Sequence, residues 1–507
     1  MEVEIISTEC IKPSSPTPSH LKTYKLSLLD QFSPPVFLPL LVFVPANQAS
    51  TSTKTLLVLK HSLSQTLSLY YPLAGTANDG LLSVDCNDEG ISYVDARADC
   101  SLCGYLKQPL IISTLLNFLP DVTYTELTPG DHVAVIQGTL FSCGGIAIAL
   151  VVPHNIFDAA SLITFMKTWA AIARDSSTAG ALAPDFSAVS IFPQSSTPFP
   201  QDLTATSVTQ HLLTGNKMSS KFVVRRFVFD GSAINNLKAK VMRSGVQNPT
   251  RVEVVFAAFL KSIISAKSAG GHAFSSLVTN AVSLRRKTVP PMSGNFVGNL
   301  VLMAAMLLLS QGDEDMELCS FVVRMREAMS TMVNNELVKS LEGDGGLKTL
   351  SMYAEELGEL YSKAMAIGAE PILLNSWCNF GLYEVDFGWG KPLWIPFVSA
   401  NKSLPIFSIF LMDTKDGKGI EAWANLDEQV LVCVKVEVGY LLALLKELQR
   451  LLLLTSLSAV GGETSSLPRR FSNIAYLLVG EAMAALLAVQ EAMDNGAAVN
   501  DPILVSF

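Results

Sequence analysis

The chain has little charge and few of the side chains that mark metal or disulfide sites. Of its 507 residues, 16% are charged and 49% are hydrophobic, which is unlike a disordered protein. The 36 basic residues are outnumbered by 45 acidic ones, and the net charge of -9 disfavours nucleic acid and anionic lipid as partners. The eight cysteines are too scattered for a disulfide scaffold and predict reduced thiols. We therefore expect two or three domains with a large buried core.

Long uninterrupted apolar runs are also missing. The most apolar stretch, 441–460, is interrupted by Lys446, Glu447 and Arg450, which a bilayer-spanning helix would bury at high cost. The acidic, alternating start MEVEII lacks the basic-then-apolar order of a secretory signal. We expect a cytoplasmic protein that does not bind membranes.

Strand and helix patterns alternate along the chain. Alternating or short apolar runs predict strands at 3–6, 36–44, 56–59, 146–152, 222–229 and 429–438, and helical periodicity predicts helices at 232–243 and 252–266. A segment rich in Ser, Thr, Ala and Pro from 175 to about 220 predicts an extended crossover. We accordingly predict an N-terminal domain at 1–195, a linker at 196–220, a C-terminal domain at 221–455 and an extension of uncertain role at 456–507.

One of the six histidines stands at a favourable position for catalysis. The apolar strand 146–152 ends just before His154, and an amphipathic helix begins near Asp158. Strand ends that precede helices are common positions of active groups in α/β folds. His154 and Asp158 form an HxxxD spacing, which arises by chance in roughly a quarter of chains with this composition. A helix-capping aspartate beside an incidental histidine is therefore the alternative.

A second segment, Asp386-Phe387-Gly388-Trp389-Gly390, is far more specific than the HxxxD spacing. A strand-like run at 383–385 precedes it, and the two glycines predict a loop that needs positive φ or close approach of another group. Trp389 is expected to anchor this loop, and Asp386 is expected to bind a cation. If only DFG or only GWG were present, an ordinary glycine turn after a strand would be the alternative interpretation.

Together the two segments resemble a known family. HNIFD at 154–158 and DFGWGKP at 386–392 look like the paired motifs of the plant BAHD acyltransferases, and the resemblance extends over residues 1 to about 450. Supporting segments are QGTLFSCGG, SLITFMKTWAAIAR, AVSLRRKTVPP, VGNL and NSWC. The N-terminal segment CIKPSSPTPSHLKTYKLSLLDQFSPP resembles the clade of alkaloid and terpenoid O-acetyltransferases.

The resemblance implies a fold and a reaction. The fold is α/β, with two chloramphenicol-acetyltransferase-like domains of mixed sheet and helices joined by a crossover loop. His154 would be the general base that takes the proton of an acceptor hydroxyl, so that the oxygen attacks the thioester of an acyl-CoA. Acetyl-CoA would be the co-substrate, with no bound cofactor and no metal, and the protein would be a monomer whose partners are acyl-CoA and a small-molecule alcohol.

The resemblance also implies roles for the motif residues. Asp158 would turn to an arginine and support the histidine loop, while Asp386 would form an ion pair with Arg285. Gly388, Trp389 and Gly390 would be structural.

The same resemblance implies roles for three further residues. Asn375 would donate a hydrogen bond to the oxyanion, and Trp377 would line the same pocket. Ser283 stands where the family usually has asparagine, on the CoA side of the channel.

The predicted function is acyl-CoA-dependent O-acylation, with acetyl transferred to a hydroxyl of a polycyclic plant metabolite such as an alkaloid or terpenoid. The alternative is a non-catalytic paralogue that binds CoA or a metabolite, suggested by Ser283 and the extension. A serine hydrolase is disfavoured because the chain has no GxSxG motif.

Overall fold

The structure is a computed structural model that describes residues 1–34, 36–78, 82–108, 112–121, 128–175, 177, 183–195, 222–268, 274–309, 317–398, 406–428, 430–431 and 434. The predicted linker at 196–220 and the predicted extension at 456–507 lie outside the described residues, so both stay predictions. Among the described residues, no helix combines the length and the apolar character needed to cross a bilayer.

The described residues form strands and helices throughout. The strands are β1 Val3–Ile11, β2 Thr23–Lys25, β3 Phe37–Val44, β4 Thr76–Ala77, β5 Ser83–Asp85, β6 Ile91–Ala98, β7 Val135–Phe141, β8 Ile146–Pro153, β9 Phe222–Phe229, β10 Ser276–Ser283, β11 Val301–Leu308, β12 Glu370–Ser376, β13 Phe407–Asp413 and β14 Ile420–Asp427. The helices are α1 Leu28–Phe32, α2 Ser52–Leu69, α3 Leu102–Leu106, α4 Ile112–Leu115, α5 Ala159–Arg174, α6 Ala188–Ile191, α7 Gly231–Arg243, α8 Arg251–Ser268, α9 Leu318–Met332, α10 Asn335–Ser340 and α11 Gly346–Ala366. Short 3-10 turns occupy Ser19–Leu21, Tyr71–Ala74, Leu116–Phe118, Gly343–Gly345 and Leu382–Glu384.

Two large mixed sheets organise these elements. The first has the strand order β1-β6-β7-β8-β3, in which only β6 and β7 are parallel neighbours. The second has the order β11-β10-β12-β13-β14-β9, with β12 parallel to both of its neighbours. A small third sheet joins β2, β5 and β4. Two mixed sheets with helices confirm the predicted α/β fold class.

By their contacts, the described residues fall into two compact units. The first contains Met1–Val228, Ser275–Leu309 and Arg324–Leu426, and therefore nearly all of both sheets and every motif residue discussed below. The second contains α7 and α8, where Phe229 packs against Phe259 with ring centroids 5.9 Å apart. The predicted domain boundaries at 1–195 and 221–455 stay predictions.

The predicted strand at 56–59 is wrong, because these residues lie inside α2. The Thr51 side chain accepts a hydrogen bond from the Lys54 backbone N–H and caps this helix. Buried Thr55, Leu59 and Leu63 then follow at four-residue intervals. A run of four apolar residues cannot by itself distinguish a strand from part of a helix.

The predicted strand at 429–438 is also wrong where it can be compared. Val430, Leu431 and Val434 are helical and buried, and the other residues of that run lie outside the described part of the chain. Burial at i, i+1 and i+4 fits the helical period rather than the alternation of a strand. The predicted elements at 36–44, 146–152, 222–229, 232–243 and 252–266 are confirmed.

Two hydrophobic cores fix the surroundings of His154. In the first, β8 pairs with β3, and α5 packs on α2, where the Trp169 indole donates to the Leu59 carbonyl and the Ser62 hydroxyl, both at 3.1 Å. In the second, α1 packs with β10, β11 and α11, and Phe32 meets Tyr353 edge-on at 6.1 Å. The first core positions the β8–α5 link, and the second positions α1.

Candidate active site

The link between β8 and α5 holds His154 in a tight turn. The His154 backbone N–H donates to the Val36 carbonyl at 2.7 Å, and the Ile156 N–H donates to the Pro153 carbonyl at 3.0 Å. Ile156 and Phe157 are fully buried, while His154 is half-buried. The buried pair anchors the turn, so the imidazole is presented on a rigid support.

The imidazole has a defined partner. His154 Nδ1 lies 2.9 Å from Asn299 Oδ1. The Asn299 amide is oriented by its other side, since Nδ2 donates to Asp30 Oδ1 at 3.0 Å. Asn299 Oδ1 must then accept a hydrogen bond, and His154 Nδ1 must donate it. In the neutral ring Nε2 is consequently unprotonated, which is the state a general base requires.

Asp30 is a fully buried carboxylate that accepts four hydrogen bonds. Asn299 donates to Oδ1 from its backbone N–H at 2.7 Å and from its side chain, as above. Ser27 donates to Oδ2 from its backbone N–H at 2.8 Å and from its hydroxyl at 2.7 Å. Burial raises the pKa of Asp30 to about 6, although the hydrogen bonds from Asn299 and Ser27 act in the opposite direction.

Asp158 turns to an arginine, as expected, and that arginine is Arg285. Asp158 begins α5 as its N-cap, accepting from the Ser161 N–H at 2.9 Å. Arg285 donates to both carboxylate oxygens of Asp158, from Nη1 to Oδ2 at 2.5 Å and from Nη2 to Oδ1 at 2.9 Å. The two side chains are only 1% and 12% exposed. Burial is the largest single influence and acts to raise the pKa of Asp158, but the Arg285 charge and the hydrogen bonds from Arg285 and Ser161 together outweigh burial and hold this pKa below its usual value.

The same ion pair holds the segment 296–300, which contains Asn299. Arg285 Nη2 donates to the Gly298 carbonyl at 3.2 Å, and the Leu300 N–H donates to Asp158 Oδ2 at 3.2 Å. Asn299 therefore lies between two backbone groups fixed by this pair. The ion pair thus supports both sides of the His154–Asn299 contact.

The predicted ion pair between Asp386 and Arg285 is wrong. Asp386 Oδ1 accepts from the backbone N–H groups of Gly388 at 2.8 Å and Gly390 at 3.0 Å, while Arg285 binds Asp158. The turn supplies its own donors because both glycines adopt positive φ, 103° and 124°, as predicted from their spacing. The preceding run is a 3-10 turn, Leu382–Glu384, and not the strand expected there.

The DFGWG loop lies at the far end of α5 from the histidine loop. Arg174, the last residue of α5, donates from Nη1 to the Asp386 carbonyl at 2.7 Å. Trp389 stacks on Phe387 at 5.8 Å, and Phe387 meets Trp169 of α5 edge-on at 5.2 Å. A helix of 16 residues spans about 24 Å, so this loop acts at a distance from His154.

The remaining predicted site residues are placed as follows. Asn375 lies half-buried in β12, and Ser283 is the last residue of β10. Trp377 follows β12, buried, with its backbone N–H donating to the Leu411 carbonyl at 2.8 Å. Among the described residues, no hydrogen bond joins any of these three side chains to His154, and their roles stay predictions.

Sequence reasoning missed Asn299 and Asp30. The pattern Ser27-x-x-Asp30 is a capping-box signature that predicts the start of a helix, and the structure contains that box. No local signal connects Asp30 to Asn299, which lies 269 residues further along the chain. The contact exists only because the second core brings α1 to the segment 296–300.

Comparison with known proteins shows the family to which the chain belongs. A model of the Transferase family matches residues 1–439. The chain belongs to the Transferase family. This membership confirms the BAHD resemblance and makes the chain an acyl-CoA-dependent acyltransferase.

Acetyltransferases from several plants are similar to this chain over most of their length. Epi-neemfruitin B 7-O-acetyltransferase of Melia azedarach is 42% identical over 85% of this chain and 95% of its own. Limonoid 7-O-acetyltransferase of Citrus sinensis is 40% identical over the same shares. Salutaridinol 7-O-acetyltransferase of Papaver somniferum is 32% identical over 87% of this chain and 98% of its own.

Among solved structures, the crystal structure of vinorine synthase has the same fold. It superposes with a TM-score of 0.69 at 29% identity, covering 87% of this chain and 98% of its own. The predicted fold is thus confirmed by a Transferase-family structure.

Proposed function

We propose that this chain transfers the acetyl group of acetyl-CoA to a hydroxyl of a limonoid-type terpenoid. The observation that supports the reaction is the half-buried His154, whose Nδ1 is committed to Asn299 and whose Nε2 is left as the base. The acceptor class is favoured by identity, which is 42% and 40% to the epi-neemfruitin B and limonoid 7-O-acetyltransferases and 32% to the salutaridinol enzyme.

The proposed reaction needs one base and one oxyanion donor. His154 Nε2 takes the proton of the acceptor hydroxyl as its oxygen attacks the thioester carbonyl carbon. The tetrahedral oxyanion collapses with cleavage of the C–S bond, and the sulfur receives the proton from the imidazolium. The products are an acetate ester and CoA, and no acyl-enzyme forms.

The other motif residues act around this step. In the proposal, Asp158 and Arg285 hold the histidine turn and the segment 296–300, and Asn375 donates to the oxyanion. Trp377 lines the pocket and Ser283 lies on the CoA side.

The proposed setting is a cytoplasmic monomer whose partners are acetyl-CoA and the acceptor alcohol. An excess of acidic over basic residues, 45 against 36, supports the exclusion of nucleic acid and anionic membranes as partners. Mass measurement by light scattering on the purified chain tests the monomer.

The test is a pair of competition assays with product mass spectrometry. Acetyl-CoA competes with a hydroxycinnamoyl-CoA as donor, and a limonoid with a free 7-hydroxyl competes with salutaridinol as acceptor. We expect thiol release together with the limonoid acetate. Preference for the hydroxycinnamoyl donor or for salutaridinol overturns that part of the proposal, and CoA binding without thiol release supports the binding-only alternative.

The base is tested by His154→Ala. Transfer should fall by about a hundred- to ten-thousandfold, with little change in melting temperature, because the half-buried ring is not part of the hydrophobic core. The exposed His61 provides the control, and His61→Ala should keep full activity. An active His154→Ala protein contradicts the mechanism.

A further inference from the structure

The position of Asp30 is unusual for a helix-capping residue. It is the third residue of the five-residue helix α1 and completes a capping box with Ser27. Capping uses only one carboxylate oxygen, Oδ2. The other oxygen, Oδ1, receives both donors from Asn299, the residue bound to His154.

Only a carboxylate satisfies this arrangement. The four groups that point at Asp30 are all donors in the observed geometry, two from Ser27 and two from Asn299. An ionised carboxylate accepts at both oxygens, whereas an amide presents an NH2 group to one of the two sides. Ionised Asp30 therefore allows a single orientation of the Asn299 amide.

That orientation decides which nitrogen of His154 is the base. With Asn299 Oδ1 facing the ring, the proton resides on Nδ1 and Nε2 is free. If the amide turned over, Nδ2 would face Nδ1, and the proton would have to reside on Nε2. A ring in that state cannot take the acceptor proton.

We propose that Asp30 is a positioning residue for the transfer reaction: by fixing the Asn299 amide, it holds His154 in the tautomer with free Nε2. This inference rests on the proposed general-base function.

The tautomer can be measured without any substrate. In protein labelled with 15N-histidine, long-range proton–nitrogen spectra distinguish Nδ1–H from Nε2–H for each of the six histidines. The signal that disappears in His154→Gln identifies His154. We expect Nδ1–H in the wild-type protein, and an Nε2–H signal there overturns the proposal before any other variant is made.

The decisive variant is Asp30→Asn. It should move the His154 proton toward Nε2 and lower kcat by between about 10-fold and 10,000-fold, with the KM for acetyl-CoA changed by less than about twofold. Asn299→Ala, which removes the connecting amide, should do the same. If Asp30→Asn is not recovered folded, Asp30→Ser removes the charge without introducing an opposing NH2 group and should give the same changes.

Asp88→Asn is the matched control. Asp88 accepts three hydrogen bonds, two from Thr17 and one from Lys22, and none of the hydrogen bonds found among the described residues joins it to Asn299 or His154. We expect lower stability with an unchanged His154 tautomer and unchanged kcat. Retention of Nδ1–H and full kcat in Asp30→Asn overturns the proposal, whereas an inactive wild-type protein with Nδ1–H contradicts only the proposed function.

Discussion

At the scale of single residues, the aspartates of the two motifs have different environments. Asp158 is buried with Arg285, whereas the half-buried Asp386 accepts from two backbone N–H groups of its own turn. Loss of one member of a buried ion pair leaves the other charge uncompensated. Loss of a partly exposed acceptor lets water replace it.

Asp158→Ala should therefore be the more damaging of the two substitutions. We expect it to lower the free energy of unfolding by about 3 to 5 kcal/mol and to abolish transfer, because Arg285 is stranded and the segment 296–300 is released. Asp386→Ala should cost about 1 to 3 kcal/mol. Urea unfolding and initial rates measure both.

The control for a turn-capping carboxylate is Asp416. It accepts from the Lys418 N–H at 3.1 Å in an exposed turn, and Asp416→Ala should cost less than about 1 kcal/mol. If Asp158→Ala and Asp386→Ala lowered the free energy of unfolding by the same amount, the Asp158–Arg285 ion pair would contribute less to stability than its burial indicates.

Asp30 gives the stability of the fold a distinctive pH dependence. Its pKa is raised from 3.8 when unfolded to about 6 when folded, so the folded state binds more protons between these values. Ionised Asp30 is destabilising relative to its protonated form, and stability falls as pH rises through 6. Relative to Asp30→Asn, the wild-type free energy of unfolding should be larger at pH 5 than at pH 7 by about 1 to 2 kcal/mol.

Urea unfolding of both proteins at the two pH values measures this difference. The Asp158 pair does not interfere, because the lowered pKa of Asp158 confines its loss to more acidic solution. If the wild type and Asp30→Asn differ in free energy of unfolding by the same amount at pH 5 and at pH 7, the raised pKa of Asp30 is contradicted.

The sequence identifies residues whose signal is local and misses those whose signal is not. His154 follows a buried strand and precedes a well-patterned helix, so its position could be predicted. The partner of Asp386 was predicted wrongly because the turn's own N–H groups, available only at positive φ, satisfy the carboxylate without a cation. Asp30 and Asn299 meet through tertiary packing, which no spacing in one sequence reveals.

At the scale of secondary-structure elements, α5 connects the two motifs. Asp158 caps its beginning, and Arg174 at its end holds the Asp386 carbonyl. The DFGWG loop can thus affect the reaction through the placement of a rigid helix about 24 Å long, at whose far end from the histidine turn it is held.

The two loop glycines should resist substitution by alanine. Gly388 and Gly390 have φ values of 103° and 124°, and an added Cβ would lie 3.1 Å from Arg174 Cγ and from Pro45 Cγ, respectively. Each Gly→Ala change should cost about 1 to 3 kcal/mol, measured as a drop in melting temperature. Gly294→Ala is the control, because among the described residues no heavy atom beyond Gly294 and its two chain neighbours lies within 4 Å of its added Cβ. Equal melting temperatures for all three variants would contradict strain at the loop.

Apolar periodicity in the sequence predicts long helices better than short segments. Long patterned helices such as α5, α7 and α8 could be predicted, since three or more turns repeat the same apolar face. The run 56–59 was mistaken for a strand because it shows only one turn of α2, and its helical identity depends on the cap at Thr51 and on buried residues that follow.

At the scale of the whole molecule, the site is assembled from distant parts of the chain. His154, Asn299 and Asp30 come from the β8–α5 link, the segment before β11 and α1. Each of these is held by one of the two hydrophobic cores or by the Asp158–Arg285 pair. The fold class could be predicted from the alternating patterns and the family resemblance, but this convergence could not.

The assembly of this site should not need the C-terminal residues 461–507. The Transferase-family match ends at residue 439, and the described residues of the second unit include the buried Val430, Leu431 and Val434. A chain ending at residue 460 should therefore melt within a few degrees of the full-length protein and keep its kcat within about threefold. A chain ending at residue 427 is the matched control, since it loses three buried apolar side chains worth roughly 1.5 to 3 kcal/mol each and should be insoluble or much less stable. Thermal melts and transfer rates on both truncations distinguish the outcomes: an insoluble or inactive 1–460 chain would show that residues 461–507 are required for folding or catalysis.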